Sequence, residues 1–246
     1  MALREDFESQ GNWLFRYRSY LPLVMLVLLL YTLKNYTYPG NSEALDHLWE
    51  AACLLVSFFG LGIRVMTIGY TPRGTSGRNT RKQVAATLNT SGIYSVVRNP
   101  LYLGNFFMGF GIVMFAHLWW LLLIYILVFW LYYERIIFAE EAFLRDRFGA
   151  VYLAWAEQTP AFIPSFKHYR KAQLSFSVRN VLRREYNGFF AVILTLQLLE
   201  ISGDLVTKGR LNIEPGWLVL FGGGFAVWFV LRWLKKHTLV LNAPGR

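Results

Sequence analysis

Hydrophobic residues in this chain are grouped into long, nearly uncharged runs. Four runs cover about residues 21–36, 45–70, 188–206 and 216–234, and a longer one covers residues 100–133. A bilayer core about 30 Å thick is crossed by about 20 residues of helix. Each run is therefore predicted to contain at least one membrane-spanning helix.

The longest run predicts a helical hairpin. Residues 100–133 contain no Lys, Arg, Asp or Glu. As one helix this run would be about 51 Å long, which exceeds the bilayer. Two helices that meet near residues 116–118 are expected instead, with His117 at the polar tip of the hairpin. The predicted fold is an all-α polytopic transmembrane bundle of about six spans with a small cytoplasmic helical insert.

The composition excludes the main soluble classes. Charged residues make up 16% of the chain, against about 25% in soluble domains. The 20 Phe, 14 Tyr and 9 Trp residues exclude intrinsic disorder. The single cysteine, Cys53, excludes a disulfide scaffold.

Basic residues predict the orientation of the bundle. The segment 71–98 contains five Lys or Arg and no acidic residue, whereas the connection at residues 35–46 contains no base. Because Lys and Arg accumulate on the cytoplasmic side, both termini and the insert at residues 134–187 are predicted there. The net charge of +10 is accordingly interpreted as contact with anionic lipid, with no nucleic acid partner.

The insert and its flanks predict three short segments. Residues 134–148 are expected to form a helix that leaves the membrane and ends at Gly149. A second short helix is expected at residues 150–158, before Pro160. Residues 166–186 alternate aromatic with basic side chains and are predicted to be an interfacial amphipathic segment.

One candidate for chemistry precedes the uncharged run. Residues 91–105 begin with a Ser-Gly turn and continue as Ile-Tyr-Ser-Val-Val-Arg-Asn-Pro-Leu-Tyr-Leu-Gly-Asn. Pro100 suits the first position of a helix, and Asn99 can serve as its N-cap. Gly104 lets another group approach the helix backbone closely. On these residues alone, a capped membrane helix with Arg98 at the bilayer surface is the simpler interpretation.

The second candidate is a pair of adjacent glutamates after the hairpin. Glu141 has Arg145 four residues later, which predicts a surface ion pair worth about a few tenths of a kcal/mol. Glu140 shares its helix face with apolar residues and should point into the bundle. A carboxylate there is costly unless a cation binds it, so Glu140 is the better functional candidate.

Together these two stretches resemble the isoprenylcysteine carboxyl methyltransferase and phospholipid methyltransferase family of integral membrane enzymes. The family has an Arg-His-Pro-x-Tyr-x-Gly turn, a helical hairpin, and a helix with Arg and then Glu-Glu, followed by Phe-Gly and Tyr. The resemblance covers about residues 60–165. The matching residues are Arg98, Pro100, Tyr102, Gly104, Arg135, Glu140, Glu141, Phe148, Gly149 and Tyr152. Asn99 replaces the usual His, which leaves a hydrogen-bonding role but removes a titratable one.

The resemblance implies S-adenosylmethionine as the cofactor, bound at the cytoplasmic ends of spans three and four under the insert. The implied cofactor-binding residues are Tyr94, Asn99, Pro100, Leu101, Tyr102, Gly104, Glu140 and Glu141. The implied catalytic residues are Arg98, Asn99 and Arg135. The glutamates suit the cofactor's ammonium, and Arg98 with the backbone N–H groups of residues 99–102 suits its carboxylate. No metal site is expected.

The acceptor is expected to be a lipid or lipidated group that enters sideways from the bilayer. The four histidines are scattered, so no base for an amine is evident. A basic rim favours an anionic head group, and its residues are Arg73, Arg78, Arg81, Lys82 and Arg135. O-methylation of a carboxylate or phosphate, as in a prenylcysteine or a lipid A phosphate, is the leading hypothesis. Three alternatives are N-methylation of a phospholipid amine, a nicotinamide-dependent sterol-type reductase, and a non-catalytic scaffold.

The apolar runs and the resemblance together predict three regions. Residues 1–70 form a cytoplasmic tail and two spans, residues 71–165 the methyltransferase core, and residues 166–246 the interfacial segment and two further spans. The protein is expected to be a multi-pass membrane protein with its site on the cytoplasmic side, in the inner membrane if the source is bacterial. The sequence makes no prediction about the oligomeric state.

Overall fold

The computed structural model describes residues 3–72 and 83–245, except for the side chains of residues 21 and 22. This part of the chain is helical and contains no strand, so the all-α prediction is confirmed. The helices are α1 (Leu3–Tyr17), α2 (Leu21–Thr32), α3 (Glu43–Tyr70), α4 (Pro100–Met114), α5 (Trp119–Phe148), α6 (Ala150–Gln158), α7 (Val178–Lys208) and α8 (Pro215–His237). Single turns of 3₁₀ helix occur at Leu33–Asn35, Pro39–Asn41 and Gly92–Ser95.

Four helices in the described residues can cross a membrane by length and composition. They are α3, α5, α7 and α8, and two shorter apolar helices, α2 and α4, accompany them. Large apolar side chains are exposed on these helices, for example Val219 at 75% and Leu127 at 54%. Such surfaces fit contact with lipid. The predicted polytopic bundle is confirmed, with two of the six expected spans as shorter helices.

The predicted hairpin is present. Helix α4 ends at Met114, and α5 begins at Trp119 after a turn in which His117 has a positive φ of 56°. At 30 residues, α5 is about 45 Å long and extends beyond a bilayer core. The helix predicted at residues 134–148 is therefore the continuation of α5, and Gly149 ends it as expected.

The N-terminal segment differs from the predicted tail. It forms α1, which packs along α5 and contributes Phe15 to an apolar cluster with Tyr132, Tyr133 and Ile136. At Gly11 the two helices are so close that a Cβ would collide with the backbone of Arg135. The charged residues interspersed in α1 hid this buried face from a search for uninterrupted apolar runs.

The predicted interfacial segment at residues 166–186 is also different. Residues 166–177 contain no regular helix, and α7 starts at Val178 and continues through the predicted span. Ser177 caps this helix by accepting a hydrogen bond from the Asn180 N–H at 3.3 Å. The Asn180 side chain donates to the Ile68 carbonyl at 2.8 Å, which fixes the start of α7 against the end of α3.

Helices α3 and α4 approach closely through glycines. A Cβ on Gly104 would lie 2.8 Å from the Gly60 carbonyl oxygen and 2.5 Å from Cγ of Arg64. A Cβ on Gly111 would collide with the Ser57 hydroxyl. These small residues bring the start of α4 against α3, which is where the polar side chains described below converge.

Candidate active site

A cavity of about 690 Å³ lies between α1, α2, α3, α4, α5 and α7. Its polar end lies at the start of α4 and the last turns of α5. Its other end continues between α2, α4, α5 and α7, where the lining is almost entirely apolar. The apolar lining includes Met25, Leu29, Ile112, Val113, Phe129 and Val192. The cavity is therefore amphipathic along its length.

Glu140 lies at the polar end, as predicted from its helix face. The Tyr102 hydroxyl of α4 donates a hydrogen bond to Glu140 Oε1 at 2.9 Å. The guanidinium of Arg18 is close enough to attract this carboxylate electrostatically, and Arg18 also lines the cavity. Because Tyr102 binds one oxygen, its hydroxyl fixes the direction of the carboxylate.

Glu141 has a different partner from the predicted one. Its Oε1 lies 3.2 Å from Nη1 of Arg98, and both side chains are about one-fifth exposed. Arg145, the expected partner, is exposed. The helix spacing made Arg145 available, but the turn before α4 brings Arg98 to the same carboxylate, where the lower exposure makes the attraction stronger. Glu141 does not line the cavity, whereas Arg98 does.

The side chain of Asn99 does not cap α4, contrary to the prediction. Asn99 is the residue before the helix, but its amide donates to the Ala161 carbonyl at 3.3 Å. The Tyr102 N–H bonds to the Asn99 carbonyl at 3.1 Å. Residues 99–102 were predicted to bind the carboxylate of the cofactor through their backbone N–H groups. Pro100 has no N–H and that of Tyr102 is already bonded, so only the N–H groups of Asn99 and Leu101 can have this role.

The segment after α6 closes over the turn before α4. Three backbone hydrogen bonds join them, from Gly92 N–H to Arg170, from Arg98 N–H to Pro160, and from the Ser165 N–H to Val96, at 2.8 to 3.0 Å. Gly92 has a φ of 61°, a conformation that favours glycine. The insert thus covers the turn that contains the first motif.

Tyr94 lies beneath this cover. The Trp155 indole N–H donates to its carbonyl at 3.0 Å, and the residue lines the cavity. Burial raises the pKa of the Tyr94 phenol above its usual value. The phenol therefore stays protonated near neutral pH and offers an uncharged ring and a hydrogen-bond donor.

A buried ion pair at the polar end was not singled out from the sequence. Arg64 of α3 contacts Glu185 of α7 through two hydrogen bonds of 2.8 and 2.9 Å. It also donates to Asn105 at 2.6 Å, and Asn105 donates to the Tyr133 hydroxyl at 3.3 Å. An arginine inside an apolar run was the available signal for this site. Its glutamate partner is 121 positions later in the chain, and no local pattern predicts it.

Other predicted site residues lie elsewhere. Gly104 does not line the cavity, and Arg64 and Gly60 occupy the space beside it, so its role in the structure is helix packing. The Arg135 guanidinium stacks over Phe7 of α1, 3.4 Å from the ring centroid, and is also absent from the lining. Pro100 and Leu101 do line it. The basic residues predicted at positions 73, 78, 81 and 82 lie outside the described residues.

Comparison of the sequence with known proteins identifies one family and two relatives. Residues 51–151 match the sequence profile of the phospholipid methyltransferase family. Protein-S-isoprenylcysteine O-methyltransferase of Schizosaccharomyces pombe is 36% identical over 77 residues, which are 31% of this chain and 33% of that protein. This chain belongs to the phospholipid methyltransferase family. It is a multi-pass membrane methyltransferase.

A second relative aligns with more of this chain. The cobalt-zinc-cadmium resistance protein CzcN of Cupriavidus metallidurans is 31% identical over 161 residues, which are 65% of this chain and 69% of that protein. No solved structure shows significant similarity. The family match contains the first predicted motif and the second as far as Gly149, and it ends one residue before Tyr152. It begins inside α3, upstream of the predicted core boundary at residue 71.

Proposed function

We propose that this protein transfers the methyl group of S-adenosylmethionine to an anionic oxygen of a lipid or lipidated acceptor. The observation that supports this most directly is the amphipathic cavity. One end offers carboxylate, guanidinium and amide groups, and the other continues between helices that face the bilayer. A polar cofactor and a lipid chain can therefore meet in one space.

The residues at the polar end fit the charged groups of the cofactor. Glu140, held by Tyr102, suits the cationic ammonium, and Arg98 with the Leu101 N–H suits the carboxylate. When bound, S-adenosylmethionine supplies a methyl group activated by a cationic sulfonium. The protein's task is to align the acceptor oxygen with that methyl group and to exclude water.

The charge of the lining favours an anionic acceptor. Among the described lining residues there are four arginines and two glutamates: Arg18, Arg64, Arg98, Arg184, Glu140 and Glu185. No histidine lines the described cavity, and burial keeps Tyr94 protonated. A carboxylate or phosphate oxygen needs no base, whereas an amine must lose a proton. These features support O-methylation.

N-methylation of a phospholipid amine is the second candidate function. It is favoured by the description of the matched family as phospholipid methyltransferases. The O-methyltransferase name of the yeast relative favours the first candidate. The nicotinamide-dependent reductase has no support from either comparison.

Product chemistry distinguishes the two candidates. The full chain in lipid nanodiscs is incubated with methyl-labelled S-adenosylmethionine and a prenylcysteine, an anionic phospholipid or phosphatidylethanolamine. We expect label in a product from which mild base releases methanol, as a carboxyl methyl ester requires, or in a phosphate methyl ester identified by mass spectrometry. Base-stable label in phosphatidylethanolamine would identify N-methylation instead. Calorimetry should show binding of S-adenosylhomocysteine. Binding of a reduced nicotinamide in its place would contradict both methyltransferase candidates.

The pH dependence of turnover is a further test. Since methyl transfer to an anionic acceptor requires no base, the rate at saturating S-adenosylmethionine should be nearly constant from about pH 6.5 to 8.5. An amine acceptor would give a rate that rises with pH as its ammonium deprotonates. A steep rise toward pH 9 would contradict O-methylation.

A further inference from the structure

A second group of buried polar residues lies far from the polar end of the cavity. Along α3, Glu50 is 14 residues before Arg64, which is about 21 Å at 1.5 Å per residue. The group is therefore at the opposite end of the bundle from the candidate active site. It includes carboxylates from α3 and α7 and an imidazole from the turn between α4 and α5.

Three carboxylates converge in this group. Oxygens of Asp46, Glu50 and Glu200 all lie within 4.8 Å of one another. The three residues are 2%, 5% and 3% exposed. Within the described residues, no Lys or Arg nitrogen lies within ion-pair distance of any of them. Buried carboxylates in such proximity need a compensating cation or a proton.

Other polar atoms at this site are buried without hydrogen-bond partners among the described residues. Glu50 Oε1 is one of them, and both ring nitrogens of His117 are others. His117 Nε2 lies 3.9 Å from an Asp46 oxygen. Gln197 is 5% exposed and its whole amide is without a partner, and it lies one turn before Glu200 on the same face of α7. Unpaired donors and acceptors of this kind are rare in native interiors.

Asp204, a neighbouring buried acid, differs from these three carboxylates in its partners. Asp204 is also buried, but it accepts hydrogen bonds from Tyr38 at 2.8 Å, Lys208 at 3.0 Å and Asn212 at 3.0 Å. Its charge is thus compensated by the protein itself. Asp204 thus has a Lys partner, whereas the three adjacent carboxylates have no Lys or Arg partner within the described residues. The imidazole nearest to Glu50 is that of His47, 3.4 Å from its Oε2, and this side chain is 47% exposed.

The convergent atoms have the chemistry and dimensions of a metal site. We propose that Asp46, Glu50 and Glu200 bind one first-row divalent cation, with Zn²⁺ and Mn²⁺ as the ions to test. His117, whose Nε2 lies 3.9 Å from an Asp46 oxygen, turns toward the ion as a fourth ligand. Oxygen ligands about 2.1 Å from a metal are at most about 4.2 Å apart, so small side-chain rotations close the observed spacing. Mixed carboxylate and imidazole ligands suit these ions.

The surrounding side chains orient the ligands. The Tyr36 hydroxyl donates to Asp46 at 2.6 Å, and the Trp217 indole N–H donates to Glu50 at 3.2 Å. Metal-binding carboxylates and imidazoles are commonly fixed by such outer hydrogen bonds. The ion would join α3, α7 and the α4–α5 turn at the end of the bundle opposite the polar groups of the candidate active site. This proposal is independent of the methyltransferase proposal.

The sequence did not reveal this site because its ligands come from three separate segments. Asp46 and Glu50 are four residues apart on α3, which places both carboxylates on one helix face. That spacing is the only local signal, because Glu200 and His117 come from distant parts of the chain and no local pattern predicts that they meet these residues. The expectation that the chain has no metal site is thus revised by the proposal.

Metal binding to the full chain in detergent tests the proposal. The protein is stripped with a chelator, and Zn²⁺ and Mn²⁺ binding is measured by calorimetry and by elemental analysis. We expect about one ion per chain in the wild type. Glu50→Gln and Glu200→Gln, which keep the side-chain volume, should each raise the Kd at least about tenfold. Glu43→Gln is the matched control, because Glu43 is at the same end of α3 but is 56% exposed and pairs with Lys208 of α7. Its loss should leave the affinity for the ion unchanged.

Two further measurements keep the test decisive if a variant is unstable. Zn²⁺ should raise the thermal unfolding midpoint of the wild type. Pulsed electron paramagnetic resonance of wild-type protein with Mn²⁺ should show coupling to an imidazole nitrogen, which His117→Phe removes. Absence of stoichiometric binding by the wild type, or equal affinity in the Glu50, Glu200 and Glu43 variants, would overturn the proposal. Absence of the nitrogen coupling would overturn the ligand set.

Discussion

At the scale of single residues, Glu140 is the side chain on which the proposed cofactor binding depends most. Its carboxylate lines the cavity and is oriented by Tyr102. A charge-assisted hydrogen bond is worth about 1.5–3 kcal/mol, so Glu140→Gln should weaken S-adenosylhomocysteine binding about ten- to a hundredfold. Calorimetry measures this, with Glu134→Gln as a control on the same helix that does not line the cavity. An unchanged affinity in Glu140→Gln would remove this residue from the site.

Glu141 has a different role, because its partner is Arg98 and it does not line the cavity. Glu141→Gln leaves the Arg98 charge less well compensated and should lower the free energy of unfolding by about 1–3 kcal/mol. Binding should weaken less than in Glu140→Gln. A double variant with Arg98→Gln measures the coupling between the two residues by thermal unfolding. Additive losses would show that the pair does not interact.

Asn99 connects α4 to the segment that covers the site. Its amide donates to the Ala161 carbonyl, and an imidazole N–H can make the same bond. Asn99→His should therefore keep S-adenosylhomocysteine affinity, whereas Asn99→Leu leaves the carbonyl unpaired and should cost about 1–3 kcal/mol. Equal binding by both variants would show that this hydrogen bond does not position the site.

At the scale of helices, the contact between α3 and α4 depends on glycine at position 60. A Cβ on Gly60 would lie 2.5 Å from the Gly104 oxygen and the Met108 nitrogen, both of which are backbone atoms that cannot turn away. Gly60→Ala should lower the free energy of unfolding by about 1–3 kcal/mol. Gly62→Ala is the matched control, since nothing lies within 4 Å of its Cβ position. Thermal unfolding in detergent compares them, and equal midpoints would contradict close packing at Gly60.

Helices with an uninterrupted apolar pattern could be predicted from the sequence. Helices in which charged residues alternate with apolar ones could not. The hairpin of α4 and α5 followed from an uncharged run too long for one helix. Helix α1 was missed because charged residues such as Glu5 and Asp6 interrupt its apolar face. The start of α7 was missed because its first turns are basic and bury polar residues such as Asn180 and Glu185, which bond across to α3.

The same distinction applies to the candidate site. The family resemblance pointed to Tyr102, and the helix face and the resemblance pointed to Glu140; the structure places both at the polar end of the cavity. The pairings of Arg98 with Glu141 and of Arg64 with Glu185 join separate helices, and only the packing of the bundle specifies them. Sequence patterns therefore identified the chemistry of the site more completely than its partners.

At the scale of the whole molecule, the two polar regions define the two ends of the bundle. Lys208 at the end of α7 pairs with Glu43 at the start of α3 at 2.8 Å, so residues 42 and 210 belong to one end. The cavity's polar groups and the segment after α6 are at the other end. The excess of Lys and Arg predicts that this second end faces the cytoplasm.

Cysteine labelling of the protein in intact cells or oriented vesicles tests this orientation. Ser42→Cys and Arg210→Cys should react with a membrane-impermeant reagent from outside, and Ser175→Cys should react only after the membrane is permeabilised. Native Cys53 is fully buried, so the background should be low. If positions 42 and 175 react from the same side, the two ends are not separated by the bilayer. Labelling of position 175 alone from outside would instead reverse the orientation and place the candidate active site away from the cytoplasm.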